Sequence, residues 1–206
     1  EKMADFGLPM ILSTGMSVYE EIDRSYEALL KKNTQLCLMN CVSEYPPDYA
    51  DINLKVITKM IERYPEAVIG HSDHTPTLYT SFAAVMLSAK IIEKHIILDK
   101  SIPGPDQSVS IDMEELAELV TGIRLIEEAS GDEKTVHERE SQIREWAFRS
   151  IVSKREIKKG EVISQDMIWS KRPGTGIPSH RMKELIGREA KRDIKSNSLI
   201  SWEDLG

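Results

Sequence analysis

The sequence predicts an α/β protein in which half of a (β/α)8 barrel is followed by a small β-rich domain. Three observations lead there. Over the first ~130 residues, short apolar runs alternate four times with amphipathic helical patterns, the spacing of successive strand–helix units in a barrel. Within them, Ile69 to Asp99 reads as strand, helix and strand in about thirty residues, which is a βαβ unit with parallel strands. From Phe148 onward the texture changes to short β-rich runs with turn signals every eight to twelve residues or so, the pattern of a small β domain. A whole barrel needs at least about 200 residues, so ~130 allow only half of one.

Residues 1–7 read as the tail of a helix stopped by Gly7, and the absence of an initial Met leaves room for an upstream segment. Pro9 to Leu12 suits a buried parallel strand. Ser17 and Glu20 are spaced as a capping box, ahead of a helix with Val18, Ile22, Tyr26, Leu29 and Leu30 on one face. Gln35 to Met39 is the second strand, and the loop Asn40 to Ala50 carries a Pro46-Pro47 pair. Asp51 is positioned to cap a helix of Leu54, Ile57 and Ile61 that stops before Pro65. Ala67 to Gly70 and Ile91 to Ile97 are the third and fourth strands, joined by a helix bearing Leu78, Phe82, Val85 and Met86. Asp112 to Glu115 reads as another cap, for the stripe Leu116, Leu119, Val120, Ile123 and Ile126, with Gly131 as the stop. Residues 133–148 form a polar linker with some helical tendency, in which His137 reads as a solvated histidine. Beyond it, Lys159-Gly160, Arg172 to Gly176 and Ile186-Gly187 punctuate the β-rich remainder. Four strand–helix units alone would leave open sheet edges and an uncovered apolar face.

Composition narrows the function classes. The chain has 206 residues, 40% apolar and 30% charged, which fits one or two globular domains. No apolar run reaches the ~18 residues of a membrane span, and no secretory signal is visible. A net charge of −7 argues against nucleic acid as a general partner, while leaving room for an anionic small substrate in a local cationic pocket. Cys37 and Cys41 form neither a metal nor a disulfide framework. They read as small buried apolar residues in a reducing, cytoplasmic compartment.

Ligands of βα units bind beyond the carboxyl ends of the strands, so His74 and His95 can converge although twenty-one residues separate them. Two imidazoles with open positions suit a catalytic divalent metal; histidines merely hydrogen-bonded at strand ends would look the same in sequence. Glu93 lies in a strongly apolar run and must be paired or face the barrel mouth, since a buried lone carboxylate costs several kcal/mol or takes up a proton. Pairing with its neighbour Lys94 is disfavoured because adjacent strand residues face opposite ways. Ser13 and Ser72 lie just past strands and suit either a ligand or a helix cap.

Five stretches in one order carry a resemblance over nearly the whole chain: Leu12-Ser13-Thr14-Gly15-Met16, Cys41 to Pro46, Ser72-Asp73-His74-Thr75 with Glu93-Lys94-His95, Gly104-Pro105-Asp106 and Lys171-Arg172-Pro173-Gly174. Together they resemble the sialic acid synthase family, which joins phosphoenolpyruvate to an N-acetylated hexosamine and releases phosphate. The resemblance implies the second half of a TIM-type (β/α)8 barrel at 1–132, a linker at 133–148 and an antifreeze-like (SAF) domain at 149–206. By the same resemblance His74 and His95 are ligands of Mn2+ or Mg2+. Ser13, Ser72 and Ser43 (where many members carry Asn) contact phosphoenolpyruvate. Tyr45, Glu93 and Asp106 hold the amino sugar or handle its protons. Arg172 matches the arginine that the SAF domain sends into the other subunit's site in a homodimer. Asn40, His71 and Gln107 depart from the common pattern and leave the amino sugar open, N-acetylmannosamine or a bacillosamine-derived relative. Two other functions remain compatible with the residues: a barrel aldolase or synthase with another acceptor, and a non-catalytic fragment whose SAF domain binds carbohydrate or protein.

Overall fold

The computed structural model describes residues 2–206 and divides into two compact units, residues 1–132 and 133–206. In the first unit, strands and helices alternate: β1 (Met10–Ser13), α1 (Tyr19–Leu30), β2 (Leu36–Cys41), α2 (Val56–Arg63), β3 (Val68–Asp73), α3 (Tyr79–Met86), β4 (Ile91–Lys94) and α4 (Met113–Ala129). The four strands form one parallel sheet in the order β1-β2-β3-β4, half the strand number of a closed barrel. Helices cover one of its faces. Ile22 and Leu29 of α1 and Ile57 and Met60 of α2 pack with Leu36, Leu38 and Ile69 of the sheet. A second cluster joins Leu78 and Phe82 to Leu119 and Ile123 of α4. Parallel strands crowd at Gly70, where an added Cβ would lie 2.3 Å from Met39 Sδ and 2.8 Å from the Ile91 carbonyl oxygen, so β2, β3 and β4 fit this register only with glycine there. Ile11 of β1 stays 57% exposed, an apolar sheet residue that this chain leaves uncovered.

Several local expectations need correction. The third strand runs on to Asp73 instead of ending at Gly70, so Ser72 lies within it rather than past it, and β1 is half-exposed rather than buried. The box at the start of α1 is shifted by one residue: Glu21 Oε2, not Glu20, accepts the Val18 N–H at 3.0 Å. Met16 adopts a left-handed φ of 59° and Ser17 donates its hydroxyl to the Gly15 carbonyl at 3.3 Å, which delays the helix start. Val18 is therefore exposed rather than part of the buried stripe. Asp51 does not cap α2, because a turn through Asn53 (φ 47°) intervenes and the helix begins at Val56. The fourth strand ends at Lys94. His95 and Ile97 instead pair with Ile111, whose N–H donates to the His95 carbonyl and whose carbonyl accepts the Ile97 N–H, both at 2.9 Å. At α4 the expected box is present: Asp112 Oδ1 accepts from Glu114 N and Glu115 N, and Glu115 Oε2 from Asp112 N.

The second unit opens with α5 (Glu138–Ala147), none of whose residues is buried; His137 precedes it, exposed. The antiparallel pair β5 (Ser150–Ser153) and β6 (Ile168–Lys171) comes next, with isolated bridges that tie 157 to 194, 162 to 189 and 190 to 205. Ile151, Ile157, Ile163, Ile168, Leu185 and Ile200 are essentially inaccessible and fill its core. The turns at Gly160 (φ 84°) and Gly187 (φ 88°) fall where the sequence signals them. Among the described residues no helix is long and apolar enough to cross a membrane.

Candidate active site

The parallel register brings the carboxyl ends of β3 and β4 side by side, pairing Ser72 with Glu93 and Asp73 with Lys94. The next residue on each strand's continuation is a histidine. His74 and His95 place their ring centroids 5.1 Å apart, edge to face. His74 donates its Nδ1 proton to the Val42 carbonyl at 2.9 Å, which leaves Nε2 with its lone pair free for a ligand. Tyr45, from the loop after β2, stacks on His74 at 4.2 Å and meets the edge of His95 at 5.7 Å. Burial, followed by the charges of Cys41, Asp106 and Glu93, raises the Tyr45 phenol above its ordinary pKa, so it faces the site as a hydrogen-bond donor. His95 Nδ1 lies 3.4 Å from Asp106 Oδ2, which places Asp106 at the rim.

Ser72 is buried and donates its one proton to Glu93 Oε1 at 2.6 Å. While that bond stands, Ser72 offers a ligand only acceptor lone pairs, and Glu93 keeps its second oxygen for another donor. Glu93 itself is exposed at the strand end rather than buried in the apolar run around it. Ser13 lies exposed at the end of β1. Ser43 is half-buried against the β1 turn, where a Cβ on Gly15 would fall 2.1 Å from its Oγ. Arg172 belongs to the second unit. Its Nε donates to the Ala147 carbonyl at 3.0 Å and its guanidinium stacks on Trp146, which fixes the side chain at the end of α5. His74, His95, Tyr45, Ser72, Glu93 and Asp106 thus share one group of strand ends, while Ser13 and Ser43 lie together past β1 and β2.

Three further features were not singled out from sequence. The Val42 carbonyl orients His74 and carries no side-chain signal. Asp73, 1% exposed, accepts the Thr75 N–H at 2.9 Å and the hydroxyls of Thr80 and Ser81 at 2.6 and 2.7 Å, and faces Lys94 Nζ at 3.4 Å. Although burial pushes its pKa up, these hydroxyls and Lys94 outweigh that and hold it below the ordinary carboxylate range. Lys94, expected only as a poor partner for Glu93, pairs with Asp73 on the opposite side. Asn40 and His71, two of the departures noted in the sequence, also meet: His71 Nδ1 lies 3.0 Å from the Asn40 carbonyl oxygen, and both side chains are buried. Gln107, the third, donates to the Lys100 carbonyl. Cys37 is buried, and that burial together with the charge on Glu93 pushes its thiol up to about 11, which leaves it inert as a nucleophile. Among the described residues no three His, Cys, Asp or Glu side chains cluster as a metal site.

Comparison with known proteins agrees over the whole chain. Residues 1–135 match the NeuB family and residues 148–206 the SAF domain. The chain is 42% identical to an uncharacterised protein of Methanocaldococcus jannaschii, over 100% of this chain and 61% of that protein. It is 37% identical to the N,N'-diacetyllegionaminic acid synthase of Campylobacter jejuni, over 97% of this chain and 61% of the enzyme. Among solved structures, the spore coat polysaccharide biosynthesis protein SpsE of Bacillus subtilis superposes with a TM-score of 0.60 at 35% identity, covering 98% of this chain and 62% of that one. The chain therefore spans about 61% of the length of these first two relatives.

Proposed function

Since the chain belongs to the NeuB family, we propose that it supplies the second half of a TIM-type barrel and the SAF domain of a synthase that condenses phosphoenolpyruvate with an N-acetylated hexosamine. The observation that carries this reading is the convergence of His74, His95, Tyr45 and the Ser72–Glu93 pair at the ends of β3 and β4. Two imidazoles with positions left open fit a divalent ion. Nitrogen ligands suit Mn2+ better than Mg2+. His74 and His95 would hold such an ion, whose Lewis acidity would polarise the sugar aldehyde toward C3 of phosphoenolpyruvate.

The protein's own groups do the rest. Val42 fixes the tautomer of His74, and Tyr45 packs on its ring, so the imidazole is oriented before any ligand arrives. Glu93, with one oxygen engaged by Ser72, would carry a proton at its other oxygen and give it to the aldehyde oxygen as that becomes a hydroxyl. Tyr45 donates to a sugar oxygen, and Asp106 accepts from a sugar hydroxyl at the rim. Ser13 and Ser43, near one another at the ends of β1 and β2, would contact the phosphate or carboxylate of phosphoenolpyruvate. Arg172 brings a planar cationic fork for acyl or hydroxyl oxygens, from the partner subunit in a two-fold dimer. The similarity to a diacetyllegionaminic acid synthase makes a bacillosamine-derived sugar the first acceptor to try, ahead of N-acetylmannosamine.

The test is phosphate release by the full-length protein from phosphoenolpyruvate plus each acceptor, with and without Mn2+. His74→Ala should lower metal-dependent turnover at least a thousandfold; because His74 is buried against Tyr45 and bonded to the Val42 carbonyl, the thermal midpoint should fall as well, and circular dichroism checks that the variant stays folded. Undiminished activity of that variant after exhaustive chelation would overturn the metal assignment.

A further inference from the structure

We infer that the buried Asp73–Lys94 ion pair is a register clamp that sets the spacing and orientation of His74 and His95; this rests on the reading of those histidines as metal ligands. The pair occupies the middle of an alternating ladder. Ser72 and Glu93 are bonded on one side of the β3–β4 edge, Asp73 and Lys94 on the other, and His74 and His95 come next. Asp73 and Lys94 each lie between two proposed site residues, yet neither reaches the site. Their side chains are 1% and 3% exposed.

The clamp also fixes the backbone just past His74. Asp73 accepts the N–H of Thr75 at 2.9 Å, while Lys94 donates to the Thr75 carbonyl and approaches its hydroxyl at 3.5 Å. Both backbone groups of Thr75 are thus held, one by each member of the pair. The peptide joining His74 to Thr75 has no freedom to rotate without breaking one of these bonds. Thr80 and Ser81, at the start of α3, anchor the other oxygen of Asp73, so the clamp is referred to a helix rather than to a loop.

Stability alone is a weak reason for such a pair. Removing two charges from water costs about as much as their attraction returns, and an apolar pair of like volume would serve as well. What an ion pair adds is discrimination between registers. A slip of one residue along β3 would move every side chain to the opposite face, separating the histidines and burying a lone charge. β4 is four residues long: its ladder to β3 and the Ser72–Glu93 bond hold it up to Lys94, and beyond that the described continuation pairs with Ile111, so the Asp73–Lys94 pair sits at the last rung before the histidines. Asp73 and Lys94 are accordingly positioning residues, acting through the backbone that carries the imidazoles.

The experiment compares three forms of the full-length protein: unaltered, Asp73→Asn/Lys94→Met, and Ile57→Val. The double variant removes both charges; its one amide oxygen can keep the Thr75 N–H, while the amide NH2 then faces the Thr80 and Ser81 hydroxyls, which must turn to accept. Ile57→Val trims a buried residue remote from the strand ends and controls for general loss of stability. Mn2+ affinity is read by electron paramagnetic resonance. Independently of metal, the His74 Nδ1–H resonance is followed in protein labelled with 15N-histidine. The double variant should bind Mn2+ at least tenfold more weakly and broaden or lose the His74 resonance, whereas Ile57→Val leaves both unchanged at a comparable fall in thermal midpoint. Unchanged affinity and an unchanged resonance in the double variant would overturn the clamp and leave the pair a structural one. If the unaltered protein binds no Mn2+, the metal reading fails, and the resonance alone decides the clamp. Should the double variant not fold, Lys94→Arg replaces it: a longer, forked cation should weaken Mn2+ binding about threefold and shift the His74 resonance, and no change in either would count against the clamp.

Discussion

The two units solve the problem of a small core in opposite ways. Residues 133–206 close on themselves: two short strands and a set of single bridges wrap a core of isoleucines and leucines, several with no accessible surface. Residues 1–132 repeat strand and helix so that helices cover one face of the sheet, while on the other Cys37 and Met39 are buried at its centre and Ile11 and Val68 stay open. Charge divides the same way. The acidic excess of the chain lies wholly in the first unit, while Lys and Arg outnumber Asp and Glu in the second. The unit that is complete as a fold carries one proposed site residue, and the unit that is open carries eight. An open parallel sheet exposes the strand ends where chemistry is placed, and it asks for a further half-barrel to cover its other face.

The sharpest way to break this contrast is to ask whether the closed unit is needed by the open one. Arg172→Ala and His95→Ala, each in the full-length protein, should both be inactive. Mixed under conditions of subunit exchange, random pairing gives half heterodimers, each with one intact site of two, so activity should return to about a quarter of the unaltered protein. Recovery near zero, with heterodimers confirmed by mass, would show that Arg172 serves its own barrel or none.

A smaller effect distinguishes the units by their folding. All six Tyr lie in residues 1–132 and all three Trp in 133–206, so each unit carries its own fluorescent reporter. For residues 1–206 alone, the Trp transition in denaturant should be sharp. The Tyr transition should be broad and accompanied by binding of a hydrophobic dye, unless copies assemble. Coincident sharp transitions without dye binding would mean that the open sheet is stable as it stands.

Much of this contrast was legible in the sequence, and most of the exceptions are set by partners distant in the chain. Asp112 and Glu115 cap α4 as expected because a capping box is closed within four residues. Gly160 and Gly187 turn where expected for the same local reason. The alternation of facing directions also excluded a Glu93–Lys94 pair correctly. The start of α1 was missed by one residue because Met16 takes a left-handed conformation that nothing in its side chain demands. The end of β4 was missed because Ile111, fourteen residues beyond Ile97, takes up its backbone bonds. Likewise, the partners Ser72 for Glu93 and Asp73 for Lys94 exist only once β3 and β4 are set in register, which no local pattern states.

The smallest expected effect is a difference in acid sensitivity. His71 is buried, and burial pushes its pKa below the ordinary histidine value. The unfolded chain therefore binds that proton first, so stability of the first unit falls as pH drops below about 6.5, by at most about 1.4 kcal/mol at pH ~5.5. In the second unit, burial alone would raise the Asp204 carboxyl, but hydrogen bonds from Ser201 and the Arg192 guanidinium hold it below the ordinary value. Its contribution is complete above about pH 4 and lost only below it. Tyr-detected stability should thus decline between pH 7 and about 5.5 while Trp-detected stability stays level; equal decline in both would assign the sensitivity elsewhere.

The central claim is that the open unit places His74 and His95 on one divalent ion. Electron spin-echo modulation of Mn2+ added to the full-length protein reads that directly, because each coordinated imidazole nitrogen modulates the echo. Two histidine nitrogens are expected in the unaltered protein and one in His95→Ala. An echo without histidine nitrogen in the unaltered protein, at saturating Mn2+, would contradict the account.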